Sequence, residues 1–310
     1  MQYMGSVKNN YFAAIFFIVF VYFIFLVWDW RVNNAVLHQS EIKISNAKKI
    51  SSTENIKGII FGGSNSYYSL SANMISNDLG EIWYNGSILN TGYSTKNHYE
   101  FIKNIASVVN INEVRTIVLS LVQPYELGEI KQREKNIIKV DGGNYFSLKP
   151  LFSGANYIKR ILNKTSSNQP PFLYGDFNFN FKCSFDSQSA SSFAREDVVL
   201  VSEYLFDHIN YLHKLFSRAK VIVVFPSGYY GKNFKENLDL SFRIKIIANL
   251  KQRIENQAAT KQISYDVLFQ PPFTSEKYMC DSPWHANEAG RLWRTNNLLM
   301  YLKGSKMKID

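Results

Sequence analysis

The chain has 310 residues, of which 46% are hydrophobic and 19% charged, so it can fill the core of one large domain or two small ones. Its formal net charge of +10 is spread without a dense basic stripe, which argues against nucleic acid as a partner and suits an anionic membrane surface or an acidic glycan. The five histidines and two cysteines show no metal-ligand spacing, so we expect neither a metal nor a cofactor.

The first predicted element is an apolar run at residues 11–28 that contains no charge and no proline. Its length matches the roughly 20 residues that cross a bilayer as a helix. A cleaved signal peptide is the alternative, but the run exceeds the usual apolar region of about 7–15 residues and no small-residue cleavage site follows it. Because a very short tail precedes this run and a large domain follows it, we predict a cytoplasmic tail (1–10), a transmembrane signal anchor (11–30), a polar connector (31–56) and an exported domain (57–310). A domain that faces the cytoplasm is the alternative, since Lys8 before the run and Arg31 after it do not decide the orientation by charge.

Within the exported domain, short β-branched and aromatic runs alternate with amphipathic stretches. This alternation is typical of a parallel sheet with helices on both faces. Strands are predicted at 57–62, 81–84, 115–121, 220–225 and 264–269, and helices at 73–79, 95–110, 195–218, 238–257 and 287–302. Together they predict a three-layer α/β/α sandwich with a parallel, flavodoxin-like sheet.

The alternation stops between about 124 and 190, where asparagine, glycine, proline and aromatic residues are frequent and no period is visible. A stretch of this length is typical of an insertion or a lid. Its aromatic side chains suit stacking on sugar rings or, as we favour, packing of the insertion onto the domain.

The first strand of the domain ends in Gly62-Gly63-Ser64-Asn65-Ser66, before a segment at 70–79 that can form a helix. The glycines let the backbone pack closely while neighbouring N–H groups face the serine, and such groups can stabilise an oxyanion. Ordinary turn chemistry explains the same residues, so this motif needs a partner elsewhere in the chain.

A partner motif precedes the last predicted helix, where Asp281 and His285 stand four positions apart in a polar loop. A serine hydroxyl becomes a good nucleophile when a base takes its proton and a third group orients that base. Ser64, His285 and Asp281 can fill these roles; taken singly, a surface histidine and a turn residue are the alternatives. Cys280 adjoins Asp281, and a disulfide with Cys183 would brace this loop, two unpaired thiols being the alternative.

A serine after the first strand and an Asp/His pair before the last helix is the order found in the SGNH (GDSL-like) hydrolase superfamily, which residues 57–302 resemble. Residues 62–66 match its first block, with Gly63 where an aspartate is commonest. Asp281 and His285 match its last block, with one residue added to the usual Asp-x-x-His spacing. The Gly-x-Ser-x-Gly elbow of α/β-hydrolases is absent, because Ser66 replaces the second glycine.

The resemblance implies a role for individual residues. Ser64 would be the nucleophile, His285 its base and Asp281 the orienting acid, with Ser64, Gly92 and Gln123 forming the oxyanion hole. Gly92 lies in a segment that resembles the second block of the superfamily, and residues 85–87 are an alternative register. Gln123 takes the place of the third-block asparagine, which this chain lacks.

The resemblance also implies a substrate. Membrane-tethered members with this layout include DltD proteins of lipoteichoic acid D-alanylation and proteins of bacterial surface-polysaccharide clusters. Similarity to them implies an esterase or acyltransferase acting on O-acyl, chiefly O-acetyl, groups of a cell-envelope polysaccharide or glycan precursor. It would lie on the periplasmic or extracellular side of the cytoplasmic (inner) membrane, with a membrane-bound acyl donor protein as a further partner. The alternative is a catalytically inactive scaffold that binds glycan or an assembly partner, favoured by the missing asparagine and the altered Asp/His spacing.

Overall fold

The computed structural model describes residues 16–17, 19–24, 39–88, 95–120, 173–177, 198–225, 228–229, 236–257, 263–271, 273, 275–282 and 284–304. The chain divides into two compact units, Met1–His38 with Lys139–Asn168, and Gln39–Ile138 with Gln169–Asp310. In the first unit, residues 16–17 and 19–24 are helical. Most of the predicted anchor lies outside the described residues, and none of the helices described is both long and apolar enough to span a bilayer.

The second unit is built on a sheet of five parallel strands, as predicted. The strands are β1 (Ile56–Gly62), β2 (Ile82–Asn85), β3 (Thr116–Ser120), β4 (Lys220–Phe225) and β5 (Tyr265–Phe269). Their spatial order, β2-β1-β3-β4-β5, is the flavodoxin-like order. Gly62 pairs with Ser120, so β1 and β3 end at the same level of the sheet.

Helices cover both faces of this sheet. They are α1 (39–51), α2 (Ser64–Ser69), α3 (Ala72–Leu79), α4 (Thr95–Val108), α5 (Val198–Leu215), α6 (Glu236–Gln257) and α7 (Glu288–Leu302). Alternate residues of β1 serve the two faces: Ile59 and Phe61 join a core with α1, α4, α5 and α6, and Ile60 joins a core with α3 and α7. The arrangement is a three-layer α/β/α sandwich.

Helix α1 belongs to the core of this unit, although its residues fall in the predicted polar connector. Lys43, Ala47 and Ile50 are at most 5% exposed, at a spacing that puts them on one side of a helix. Ala47 and Ile50 pack into the same core as α4. The folded unit therefore includes residues 39–51 of the predicted connector.

Two local predictions differ from the structure. A helix was expected only within 70–79, but helical backbone begins at Ser64, and Leu70 and Ser71 are extended between α2 and α3. The Asp281/His285 segment was predicted as a loop and is an antiparallel hairpin of β6 (Met279–Ser282) and β7 (His285–Ala286). Both elements are too short for a hydrophobic period to be visible in the sequence.

Candidate active site

Ser64 is the first residue of α2, two residues after the carboxyl end of β1, and it is half-buried whereas the rest of α2 is buried. Gly62 permits this sharp turn, because a Cβ there would lie 1.9 Å from the backbone oxygen of Ser120 and 2.0 Å from Oγ of Ser66. The Ser66 hydroxyl donates a hydrogen bond of 2.6 Å to the same Ser120 oxygen. The turn is thus held against β3 at the sheet edge where sites of such folds lie.

His285 and Asp281 are brought together by the β6–β7 hairpin. Ser282 pairs with His285, which places Asp281 beside the imidazole. Oδ1 of Asp281 lies 2.7 Å from Nδ1 of His285, so the added residue in the Asp-x-x-x-His spacing does not prevent the contact. A carboxylate at Nδ1 leaves Nε2 as the nitrogen that can exchange a proton with a substrate or a nucleophile.

Helix α2 packs against β7, which brings the segment that begins with Ser64 beside His285. The ring of Tyr68 stacks on the His285 imidazole, with centroids 4.3 Å apart and planes at 7°. Ser64 precedes Tyr68 by four residues, about one helical turn, and so lies on the same side of α2. The hairpin that carries Asp281 and His285 thus contacts the helix whose first residue is Ser64.

The neighbouring side of α2 is held by Arg294 of α7, which the sequence analysis did not single out. Its guanidinium is fully buried, and Nη1 donates to Oδ1 of Asn65 at 2.8 Å and to Oγ of Ser69 at 3.0 Å. The Phe273 ring centroid lies 4.6 Å from the guanidinium carbon. Burying a cation is costly unless its N–H groups are paired. The sequence does hold one indication of this role: Arg294 lies four positions before Leu298, on the apolar side of the predicted helix at 287–302.

Asp176, in the predicted insertion, connects the described segment 173–177 to α3. It is 2% exposed, and its oxygens accept hydrogen bonds of 2.7 Å from Ser71 Oγ, 2.7 Å from the Ala72 N–H and 3.0 Å from the Asn73 N–H. Ser71 is the N-cap of α3, so the carboxylate serves N–H groups that have no partner within the helix, at the end where negative charge is favourable. This part of the insertion packs onto the domain.

A second buried cation, Lys43 of α1, lies close to this segment. Its Nζ donates hydrogen bonds of 2.8 Å to the backbone oxygens of Asn85 and Gly175, and lies 4.2 Å from the ring centroid of Tyr67. Burial lowers the pKa of Lys43 well below its ordinary value, and the negative charge of Asp176 acts in the opposite direction. Both hydrogen bonds are to the main chain, so Lys43 joins the end of β2 to the insertion.

Three predicted site residues, Gly92, Gln123 and Cys183, lie outside the described residues. Cys280 takes part in a disulfide, which excludes the alternative of a free thiol at this position. It is fully buried and packs with the rings of Tyr67 and Tyr68. The residue before Asp281 is thus fixed both covalently and by packing.

A pair of histidines, His98 and His208, joins α4 to α5. Nδ1 of His98 lies 3.2 Å from Nε2 of His208, and both side chains are fully buried. Burial lowers the pKa of His98 well below its ordinary value, and the adjacent His208 ring lowers it further.

Across the part of the chain that the structure describes, no three His, Cys, Asp or Glu side chains are grouped so that they could hold a metal ion.

No protein-family model and no curated protein sequence matches the chain. Among solved structures, it is similar to a family two carbohydrate esterase from Clostridium thermocellum, with 11% identity, a TM-score of 0.43, and coverage of 81% of this chain and 65% of the esterase. An acetyl xylan esterase from Butyrivibrio proteoclasticus has 13% identity, a TM-score of 0.41, and coverage of 81% and 64%. A protein named as a GDSL-like lipase from Parabacteroides merdae has 11% identity, a TM-score of 0.38, and coverage of 82% and 98%.

The chain spans slightly less than two thirds of the length of the two carbohydrate esterases. Similarities this distant carry no argument about activity or substrate.

Proposed function

We propose that this chain is a serine esterase or acyltransferase of the SGNH type. The observation that carries the proposal is the 2.7 Å contact between Oδ1 of Asp281 and Nδ1 of His285, on a hairpin that packs against the helix beginning at Ser64. The chain order of the serine and the Asp/His pair, and the flavodoxin-like sheet beneath them, support the same assignment.

In the proposed reaction, Nε2 of His285 takes the proton of the Ser64 hydroxyl while Oγ attacks the carbonyl carbon of an ester. The tetrahedral intermediate collapses, its bond to the sugar oxygen breaks, and the imidazolium returns its proton to that leaving oxygen. Water or a second sugar hydroxyl then attacks the acyl-serine, with His285 again taking the proton. Asp281 holds the tautomer that carries hydrogen on Nδ1 and stabilises the imidazolium.

Charge that develops on the carbonyl oxygen requires hydrogen-bond donors. We assign this role to the backbone N–H of Ser64, to Gly92 and to the side-chain amide of Gln123, which follow β1, β2 and β3. The carboxyl ends of these neighbouring parallel strands meet at one sheet edge. Loss of one such donor costs roughly 3 kcal/mol of transition-state stabilisation.

We also propose that the domain is exported and anchored in the cytoplasmic (inner) membrane, a layout like that of DltD proteins. Residues 11–28 carry no charge, and within them Phe16 and Phe23 are 71% and 61% exposed on helical backbone. The disulfide at Cys280 is typical of an oxidising compartment. The proposed substrate is an O-acylated, chiefly O-acetylated, envelope polysaccharide, and a membrane-bound donor would supply the acyl group for transfer.

The catalytic proposal is tested by hydrolysis of p-nitrophenyl acetate with the full chain in detergent. Ser64→Ala and His285→Ala should each lower kcat by at least about 10³-fold, because neither residue can act without the other. Ser107→Ala, at an exposed serine of α4, is the matched control and should keep the wild-type rate. Equal rates in all four proteins would leave the inactive scaffold as the remaining interpretation.

Export is tested by fusing alkaline phosphatase to the C-terminus, since this enzyme is active only where its disulfides form. The fusion should be active, and removal of residues 1–30 should abolish its activity. An inactive full-length fusion that accumulates normally would place the domain in the cytoplasm.

A further inference from the structure

The imidazole of His285 has a second contact besides Asp281. The ring of Tyr68 stacks on it face to face, with centroids 4.3 Å apart and planes at 7°. Tyr68 is 2% exposed and lies one helical turn after Ser64 on α2. The same short helix therefore carries the proposed nucleophile and a ring in contact with its proposed base.

The ring of Tyr68 also packs against a second ring, that of Phe177. The ring of Phe177 lies 4.2 Å from that of Tyr68, with planes at 33°. Phe177 is fully buried, and its backbone oxygen accepts a hydrogen bond of 2.7 Å from Nη1 of Arg291. Cys280 packs into the same cluster. Two rings this close to Tyr68 can fit only over its opposite faces, so the stacked His285 imidazole and the tilted Phe177 ring enclose Tyr68 between them.

The two contacts of His285 restrict different motions. The hydrogen bond that the Nδ1–H of His285 donates to Asp281 fixes the position of Nδ1, but an imidazole held at one atom can still turn about that bond. The side chain of Asp281 is 43% exposed, so water competes for this hydrogen bond. The buried ring of Tyr68 restricts the plane of the imidazole, and the two contacts together set the direction of Nε2.

The stack also suits the charge that the reaction produces. The face of an aromatic ring carries negative partial charge and attracts a cation placed over it. When His285 takes the proton of Ser64, the resulting imidazolium lies over the Tyr68 ring. The contact is therefore stronger in the transition state than in the resting enzyme, which is the condition for raising kcat.

We propose that Tyr68 is a positioning residue that sets the plane of His285 and so aims Nε2 at Ser64, with Phe177 supporting it. This inference rests on the proposed serine chemistry. It assigns a role in that chemistry to the predicted insertion, which supplies Phe177 from outside the strands and helices of the sandwich.

The test compares Tyr68→Leu and Tyr68→Phe in the full chain in detergent, with p-nitrophenyl acetate as substrate. Misplacement of a catalytic group by about 1 Å can cost 10²-fold, so Tyr68→Leu should lower kcat by about 10- to 100-fold with little change in KM. Tyr68→Phe keeps the ring and should stay within about threefold of the wild type. Tyr211→Leu, which removes a ring that packs against Tyr99 with centroids 4.4 Å apart and planes at 36°, is the matched control and should keep the wild-type kcat.

A second readout does not depend on activity. In protein labelled with ¹³C-histidine, the ring protons of His285 should show an upfield ring-current shift, assigned by its absence in His285→Ala. Tyr68→Leu should abolish that shift and Tyr68→Phe should keep it. Phe177→Leu leaves the Tyr68 ring in place without its support, and should lower kcat by a smaller factor of about 3 to 10.

The outcomes separate this inference from the proposal beneath it. An active wild type with unchanged kcat in Tyr68→Leu would overturn the role of Tyr68 and leave the serine chemistry intact. If Tyr68→Leu does not fold, unchanged kcat and an unchanged His285 shift in Phe177→Leu would overturn it instead. The serine chemistry itself would be overturned if the wild type does not hydrolyse the ester and if fluorophosphonate labels the wild type and Ser64→Ala equally.

Discussion

Asp176→Ala should destabilise the folded unit strongly, although the residue lies in a segment that the sequence presents as an irregular insertion. The carboxylate is 2% exposed and accepts three hydrogen bonds of 3.0 Å or shorter at the start of α3. The substitution removes the acceptor and supplies nothing in its place. The donors it leaves behind lie largely beyond the reach of water.

The size of the effect follows from those donors. The Ala72 N–H and the Ser71 hydroxyl are buried and lose their acceptor, whereas the Asn73 N–H belongs to an exposed residue that water can reach. An unsatisfied buried donor costs about 1–3 kcal/mol, and relief from burying a carboxylate offsets part of the sum. We expect a loss of about 3 kcal/mol in the free energy of unfolding for Asp176→Ala. Asp176→Asn keeps one acceptor oxygen and should lose about half as much.

Urea unfolding of the full chain in detergent, followed by tryptophan fluorescence, measures this loss. Trp83 is a suitable probe because it is 2% exposed and its backbone N–H donates a 2.8 Å hydrogen bond to Oγ of Ser76 in α3. Asp78→Asn, at the other end of α3, is the matched control: that carboxylate is 39% exposed and pairs with Lys303, so its loss should cost less than about 1 kcal/mol. An Asp176→Ala protein no less stable than the control would refute the reasoning.

Three further predictions concern the site, its pH dependence and its turn. Asp281→Asn should lower kcat by about 10- to 100-fold. This is less than the roughly 10⁴-fold loss in a buried triad, because the Asp281 carboxylate is 43% exposed and water can take over part of its role. An unchanged kcat would exclude Asp281 from the mechanism. Burial lowers the pKa of His98 in the folded chain below its value in the unfolded chain, so the unfolded chain binds the proton first as the pH falls. The free energy of unfolding should therefore decrease below about pH 6.5, by up to about 1.4 kcal/mol per pH unit. His98→Gln should flatten urea-derived stability between pH 6.5 and 5, and equal slopes would contradict this. Gly62→Ala puts a Cβ 1.9 Å from the Ser120 oxygen and should cost about 3 kcal/mol or more on urea unfolding; a loss below 1 kcal/mol would show that the turn can relax.

The fold could be predicted because its strands are local signals. Runs such as 220–225 are apolar at nearly every position, since a central parallel strand is buried on both faces, and the structure places that strand at the predicted residues. Helix α1 shows the limit of this reasoning. Its Lys43 carries a charge that composition assigns to the surface, and distant groups, chiefly the carbonyls of Asn85 and Gly175, make its burial tolerable.

The candidate site was predictable in part for a related reason. A serine after the first strand and an Asp/His pair before the last helix are short motifs, and motifs at strand ends can be located without knowing what surrounds them. The side chains that hold these motifs in place cannot be located in this way. Arg294 contacts Asn65, 229 positions away in the sequence, and no local pattern indicates which buried polar atom will accept the hydrogen bond from its guanidinium.

By itself, the sequence determined the alternation of strands and helices, the apolar N-terminal run, and the three side chains with complementary chemistry. These properties depend on neighbours within a few residues, through hydrophobic period and turn chemistry. Only the tertiary structure decided that α2 begins at the serine, that the hairpin lets Asp281 reach His285, and that Tyr68 and Phe177 stack behind the imidazole. Such contacts join segments far apart in the chain, and they form because packing buries apolar rings and leaves each buried polar atom to find a partner nearby.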